Sequence, residues 1–477
     1  MAPLAHVLTA EESRRRLAAR KLQELDQKLA GLRAELDSWL GATGQGARLR
    51  KHHSQVQRLT DQLGGMAAEI GAQIGTLGAD ASGAVAQART LQLQILEVHR
   101  LWDYFRSKLS LRYVDWFAEP LAIADDLAWA CQGPARAAAE QAGRAGARTA
   151  PLLFFSGDFS AYTHAERTPF EVEEVPDALD TAGFLEAVAA LPIPVIGVPW
   201  YQVAHLPDAP VIAHEVGHDV TAAFGLDKEY VEHARPVLEQ VPLRAQAWWA
   251  WLDEVHADLY GVLCLGPAFA SAMADLLATD PVQVALEARV AAAWVRHPPA
   301  ARRMQCLVHA LRRLGFEDAA DEREAAWAAS FPPADGDPYR DDGPALVDAL
   351  LDGRCESLGG SMLETVSFSQ AQHTDATAVK DSILIGLSPP SGDVRTLVAG
   401  ARLAFDADPE GYRRARADGK TPQQLVLDRA EADRTDEPRA EEVAAGPGTD
   451  ADRAAGAALF ARLIRPATAP DTTEESR

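Results

Sequence analysis

The chain has 477 residues, 47% of them hydrophobic and 24% charged, which is long enough for two or three domains that each bury a core. Its formal net charge of −23 argues against general affinity for nucleic acids, because such affinity requires a basic surface. No apolar run is long enough for a transmembrane segment and no signal peptide is visible, so the sequence predicts a cytoplasmic protein.

The first 80 residues predict a helical hairpin or coiled coil. Leucine recurs at heptad spacing through residues 11–40, and apolar residues recur in the same way through residues 49–78. The glycine-rich segment Gly41–Gly46 is typical of a turn, so the two helices are expected to be antiparallel. The first 60 residues carry 11 Lys/Arg against 6 Asp/Glu. This basic surface leaves self-association or partner binding through residues 11–80 open, beside a plain solvated surface.

The composition changes after the N-terminal helices. Helix is expected from Ala84 to Tyr113 and onwards to about Ala147. Two short apolar runs follow, residues 151–155 and 194–198, and both are bounded by turn residues, which is typical of β-strands. We therefore predict a mainly α fold with a small β-sheet (α+β).

The most informative motif is the HExxH sequence that begins at His214. Residues four apart lie on one helix face, so His214 and His218 can hold one zinc ion between their imidazoles. Glu215 lies about 100° round the helix, where it can take a proton from a water on the open side of the ion. Asp208 is expected to cap the start of this helix and Gly225 its end.

Zinc needs a third protein ligand, and an acidic segment further along the chain offers candidates. The segment from about Ala245 to Leu265 predicts a helix, so Glu254 and Asp258 share one face and His256 lies on the far side. We predict Glu254 as the ligand and Asp258 as the hydrogen-bond acceptor that fixes the tautomer of a ligating histidine. His256 is expected to be a hydrogen-bonded core residue. An alternative exchanges two roles, with Asp258 binding zinc and Glu254 orienting it.

With these residues the sequence resembles the gluzincin metallopeptidases, whose pattern is HExxH, then a glutamate ligand, then an aspartate four residues later. The His-Pro-Pro…Arg segment from His297 to Arg303 resembles the CAAX-prenyl-protease and heat-shock-protease branch of that group. The resemblance implies that His297 stabilises the oxyanion of the tetrahedral intermediate and that Arg303 assists it. From the residues alone, a helix-capping role for His297 and a surface position for Arg303 stay open.

The resemblance also implies how a peptide substrate is held. In gluzincins the edge strand of a short sheet pairs with the extended substrate, and here Val195–Tyr201 would be that strand. A plain core strand is the other interpretation of this apolar run.

We therefore predict a metallopeptidase that uses Zn2+ to hydrolyse a peptide or protein substrate. The alternative is a helical protein-interaction scaffold in which the zinc site is structural or vestigial. In the tail, a short amphipathic segment at residues 459–464 is expected to dock on the protein itself rather than on a partner. The expected organisation is a helical hairpin or coiled-coil region over residues 1–147, a metallopeptidase core over 148–325, a helical region over 326–430 and an acidic, mostly disordered tail over 431–477.

Overall fold

The described part of the chain forms two compact units. A computed structural model describes residues 9–78, 83–144, 150–156, 162–164, 193–201, 205–290, 297–333, 337–390, 392–432 and 449–463. The first unit contains the helices up to Ser110 and the helix Thr449–Leu463, and the second contains the helices and strands from Leu111 to Ala432. Both sheets are small, which confirms the predicted mainly α class with a small β component. None of the described helices combines the length and the apolar character that a membrane span requires.

The first unit begins with the predicted antiparallel hairpin. Helix α1 (Ala10–Gly41) packs against α2 (His53–Thr76), and α3 (Ala84–Ser110) packs against both. The side chain of Arg33 donates a hydrogen bond to the carbonyl of Ala67 at 2.9 Å, and Leu29 lies beside Gly71. Helices α1 and α2 are therefore antiparallel. Most of the heptad residues are buried as the pattern predicts, namely Leu25, Leu29, Leu32 and Leu36 on α1 and Val56, Leu59, Leu63, Met66 and Ile70 on α2. Leu22 and Trp39, at the two ends of the pattern on α1, are half-buried.

The helix Thr449–Leu463 packs against α2. Gly65 lies against the backbone of Arg453, and Gly456 lies against the backbone of Gln62, in both places closer than a side chain would permit. Leu459 and Phe460 are buried, which confirms that the amphipathic segment of the tail docks on the protein itself. The remaining predicted tail, residues 433–448 and 464–477, lies outside the described residues.

Most of the second unit is helical and surrounds one hydrophobic core. The largest side chains of this core are fully buried and include Trp248, Trp251, Tyr260 and Phe269. The helices are α4 (Asp115–Gln141), α5 (Ile212–Phe224), α6 (Asp227–Leu238), α7 (Pro242–Leu265), α8 (Pro267–Leu277), α9 (Pro281–Val290), α10 (Ala300–Arg313), α11 (Glu317–Ser330), α12 (Gly343–Asp352), α13 (Met362–Val366), α14 (Gln370–Leu384), α15 (Val394–Ala407), α16 (Pro409–Arg414) and α17 (Pro422–Ala432).

A three-stranded sheet precedes α5 in the chain. Its strands are β1 (Leu152–Ser156), β2 (Tyr162–His164) and β3 (Val195–Pro199), in the order β1-β3-β2. Strand β3 is parallel to β1 and antiparallel to β2, and all five of its residues are buried. The expectation that Val195–Tyr201 forms an edge strand is therefore wrong, because β3 has a partner on both sides. A second, two-stranded sheet joins β4 (Arg354–Cys355) to β5 (Gly360–Ser361).

The units divide the chain at Ser110 rather than at the predicted residue 147. The reason is that the apolar face of α4, with Leu127 and Cys131, belongs to the core of the second unit. Residues 326–430 form no unit of their own in the described structure, since Leu350 and Val398 lie in that same core.

Candidate metal centre

Helix α5 carries the HExxH motif and is anchored by its apolar side. Ile212, Val216 and Val220 lie in the core, so the opposite side can present polar residues. The helix ends at Gly225, whose φ of 67° is the left-handed conformation of a glycine cap, as predicted. The predicted cap at Asp208 is wrong. A 3-10 turn, Leu206–Val211, precedes the helix, and Asp208 lies inside this turn, four residues before Ile212.

Gly217 permits α5 to cross α7 closely. A Cβ atom at this position would lie 2.9 Å from Cα of Ala257 and 3.0 Å from Cβ of Tyr260, which is closer than such atoms approach in practice. The middle of the motif therefore touches α7 one turn from Glu254. This crossing brings the glutamate to the two histidines, which are 36 to 40 residues away in sequence.

We expect Gly217→Ala to destabilise the metal-free protein by about 1–3 kcal/mol, because the extra methyl group forces the two helices apart. Zinc affinity should fall in the same variant, since Glu254 moves away from the histidines. Urea denaturation and zinc titration measure the two effects.

Gly31→Ala on α1 is the matched control. Gly31 is exposed and a Cβ there would meet nothing within 4 Å, so this variant should unfold at the same or a slightly higher urea concentration. Equal stabilities for the two variants would contradict the importance of the close crossing.

Three side chains converge where α5 meets α7. Nε2 of His214 lies 3.2 Å from Nε2 of His218 and 3.3 Å from a carboxylate oxygen of Glu254, and the other oxygen of Glu254 lies 3.8 Å from Nε2 of His218. In a tetrahedral zinc site with bonds of about 2.1 Å, neighbouring ligand atoms are roughly 3.4 Å apart. The nearest approaches of the three side chains are thus close to the separation that zinc requires, and one ligand atom from each residue lies within 4.8 Å of the other two. Among the described residues, this is the group of histidine, cysteine and carboxylate side chains that could hold a metal ion.

Asp258 lies behind His214, away from the ligand atoms. Nδ1 of His214 donates a hydrogen bond to Asp258 at 2.9 Å, which leaves Nε2 to face Glu254 and His218. Asp258 in turn accepts two hydrogen bonds from Arg303, at 2.6 and 2.7 Å. This arrangement favours Glu254 over Asp258 as the third ligand.

Asp253 is the residue of this site that sequence reasoning missed. Its carboxylate lies 3.1 Å from Nδ1 of His218, so both histidines have a carboxylate partner on α7. Asp253 and Asp258 flank Glu254 on the helix, one position before it and four after it. The position of Asp253 beside Glu254 in sequence indicates that it lies near the site. Its contact with His218 depends on the direction of the imidazole ring, which sequence spacing does not give.

Hydrogen bonds and neighbouring charges shift the pKa values of the buried site residues in the direction opposite to the effect of burial. Burial lowers the pKa of His214, but its hydrogen bonds with Asp258 and Glu254 outweigh burial and raise the pKa to about 10. Burial raises the pKa of Glu254, but the hydrogen bond from His214 and the neighbouring imidazoles outweigh it and hold that pKa well below its usual range. Burial is likewise outweighed at Asp258, whose pKa the guanidinium of Arg303 lowers. Without a metal, a protonated His214 therefore lies between two carboxylates.

Zinc binding is expected to release about one proton near pH 7.5, because His214 must lose its proton before its Nε2 can bind a metal. With the pKa raised to about 10, the proton is present throughout the range from pH 6.5 to 8.5. Zinc affinity should accordingly rise with pH across this range. Calorimetric titration in buffers of different ionisation enthalpy measures the proton count, and a binding heat that is independent of the buffer would contradict this prediction.

The predicted catalytic residues differ in where they lie. Glu215 is buried on α5, directly beside the first ligand in sequence. His297 has a side chain that is 56% exposed, and its Nε2 lies 3.4 Å from a carboxylate oxygen of Glu254. Arg303 is buried on α10, so it is not a surface cation. It donates two hydrogen bonds to Asp258 behind His214, on the side away from the ligand atoms.

His256 is the hydrogen-bonded core residue that the sequence predicts. It is fully buried on the far side of α7, with Nδ1 at 2.9 Å from the hydroxyl of Thr221 and its ring stacked on Tyr230. Thr221 also donates to the carbonyl of Gly217. His256 therefore strengthens the crossing of the two helices from the side opposite the ligand atoms.

Comparisons with models of known families, with curated proteins and with solved structures give no significant match to this chain. The resemblance to the gluzincins therefore rests on the motif residues of the sequence.

Proposed function

We propose that this chain is a zinc-dependent metallopeptidase of the gluzincin type. The observation that carries the proposal is the convergence of His214, His218 and Glu254, which can each offer one ligand atom within 4.8 Å of the other two. Imidazole nitrogens with one carboxylate are a donor set that suits zinc in catalytic sites, where a fourth position stays open for water or substrate. The residues present therefore fit the ion.

Zinc bound here would polarise a substrate carbonyl and lower the pKa of a water molecule to about 7. Glu215 follows a ligand on the same helix, and its carboxylate is the group that accepts the proton of that water. The same carboxylate then delivers the proton to the amine that leaves. His297, whose side chain is partly exposed and lies at the edge of the ligand set, would donate a hydrogen bond to the carbonyl oxygen as negative charge develops on it.

The proposed position of the peptide changes with the sheet order. Because β3 is central, the two edges of the described sheet are β1 and β2, and β2 is the edge strand that lies against α5. We infer that an extended peptide adds to the β2 edge as an antiparallel or parallel neighbour, which fixes its scissile carbonyl relative to the motif helix.

The scaffold alternative is less well supported. A structural zinc site is closed by four protein ligands, whereas the described residues bring three together. The helical hairpin and the docked helix Thr449–Leu463 fit either interpretation.

A digest of a mixed peptide library tests the proposal. The zinc-loaded chain should generate new peptide termini, detected by mass spectrometry, and treatment with a chelator should stop their formation. Zinc bound at one ion per chain without cleavage of any peptide would favour the scaffold.

A further inference from the structure

The two metal-binding histidines have carboxylate partners of very different exposure. Asp258, behind His214, is 1% exposed and is held by two hydrogen bonds from the buried Arg303. Asp253, beside His218, is 60% exposed. The site is therefore closed behind His214 and open beside His218.

A second exposed side chain lies on the ligand set. His297 is 56% exposed and contacts Glu254, whereas Glu254 itself is 4% exposed and His214 is 8% exposed. An ion that comes from solvent therefore passes the exposed side chains of Asp253 and His297 before it reaches these buried ligands. The centre thus has a buried half, behind His214, and an accessible half, beside His218 and His297.

We infer that Asp253 both positions His218 and attracts the metal ion as it enters the centre, an inference that rests on the proposed zinc site. As acceptor for Nδ1–H, Asp253 keeps Nε2 of His218 free to bind zinc. As an exposed negative charge one imidazole ring away from the ion's position, it draws a dication towards the open side. Asp253 is a positioning residue and takes no part in bond breaking.

The two roles of Asp253 separate in two substitutions. Asp253→Asn removes the charge but keeps an oxygen that accepts the hydrogen bond from His218. Asp253→Ala removes both the charge and the acceptor. Loss of the attraction should therefore slow zinc uptake in both variants. Loss of the positioning should accelerate zinc loss in the alanine variant alone.

Stopped-flow mixing of the metal-free full chain with Zn2+, and of the zinc-loaded chain with a chelating indicator, measures the two rates. Asp253→Asn should slow uptake by about 5–10-fold at low ionic strength and weaken its salt dependence, with zinc loss nearly unchanged. Asp253→Ala should slow uptake equally and should also accelerate loss by about 10–100-fold. Asp253→Glu keeps the negative charge and should take up zinc as fast as the parent.

Glu239→Gln, which removes another exposed carboxylate, is the control for net charge. If Asp253→Asn slows uptake no more than this control does, the attraction is refuted. If Asp253→Ala loses zinc as slowly as the parent, the positioning is refuted. Neither rate requires hydrolysis, so a chain that shows both effects but cleaves no peptide overturns the proposed function alone.

Discussion

Replacing Glu215 with glutamine is expected to leave zinc bound and to lower the rate of peptide hydrolysis by about 10²–10⁴-fold, the usual contribution of a general base. Glutamine has nearly the same shape as glutamate, so the buried position beside His214 remains filled. It cannot accept the proton of the attacking water or return that proton to the leaving amine. The loss should therefore fall on kcat rather than on zinc affinity.

Zinc content and peptide turnover, measured on the same preparation, check this expectation. Glu239→Gln is a matched control, because it exchanges the same two residue types at an exposed position. Should Glu215→Gln cleave as fast as the parent, Glu215 is not the base and the assignment of roles is wrong.

Parallel substitutions of Glu254 and Asp258 should weaken zinc binding by different amounts. Glu254→Gln removes a direct ligand, and we expect its loss of affinity to exceed the roughly 10–100-fold that is typical of an outer hydrogen-bond partner. Asp258→Asn should fall within that range, because the asparagine oxygen can still accept a hydrogen bond from Nδ1 of His214. It also leaves the Arg303 guanidinium buried beside a neutral group, so this variant should be the less stable one without metal.

Competition against a chelator of known affinity ranks the two variants, and urea denaturation of the metal-free proteins measures the stability difference. A reversed order, with Asp258→Asn losing far more zinc affinity, would mean that Asp258 binds the metal and Glu254 orients it. Glu254 would then not be the ligand that its 3.3 Å distance from Nε2 of His214 indicates.

Helical periodicity accounts for the part of the centre that the sequence predicts. Residues four apart share a face, so His214 with His218 and Glu254 with Asp258 follow from spacing alone. The same rule places His256 on the far side of its helix, where the structure confirms it. The buried leucines of α1 and α2 follow from heptad spacing in the same way.

The features that the sequence did not predict depend on contacts between distant segments. Whether β3 is central or at an edge depends on β2, which comes from a separate part of the chain. The burial of Arg303 depends on Asp258, 45 residues earlier, and the pairing of Asp253 depends on the ring direction of His218. Helix α4 joins the second unit because its apolar face completes a core whose other members come from later residues.

The coordination of zinc in the metal-loaded chain tests the central claim most directly. A crystal structure of the zinc complex should show one ion bound by Nε2 of His214, Nε2 of His218 and the carboxylate of Glu254, with a water molecule in the fourth position. Four protein ligands around the ion, or an ion bound away from these three side chains, would contradict the account.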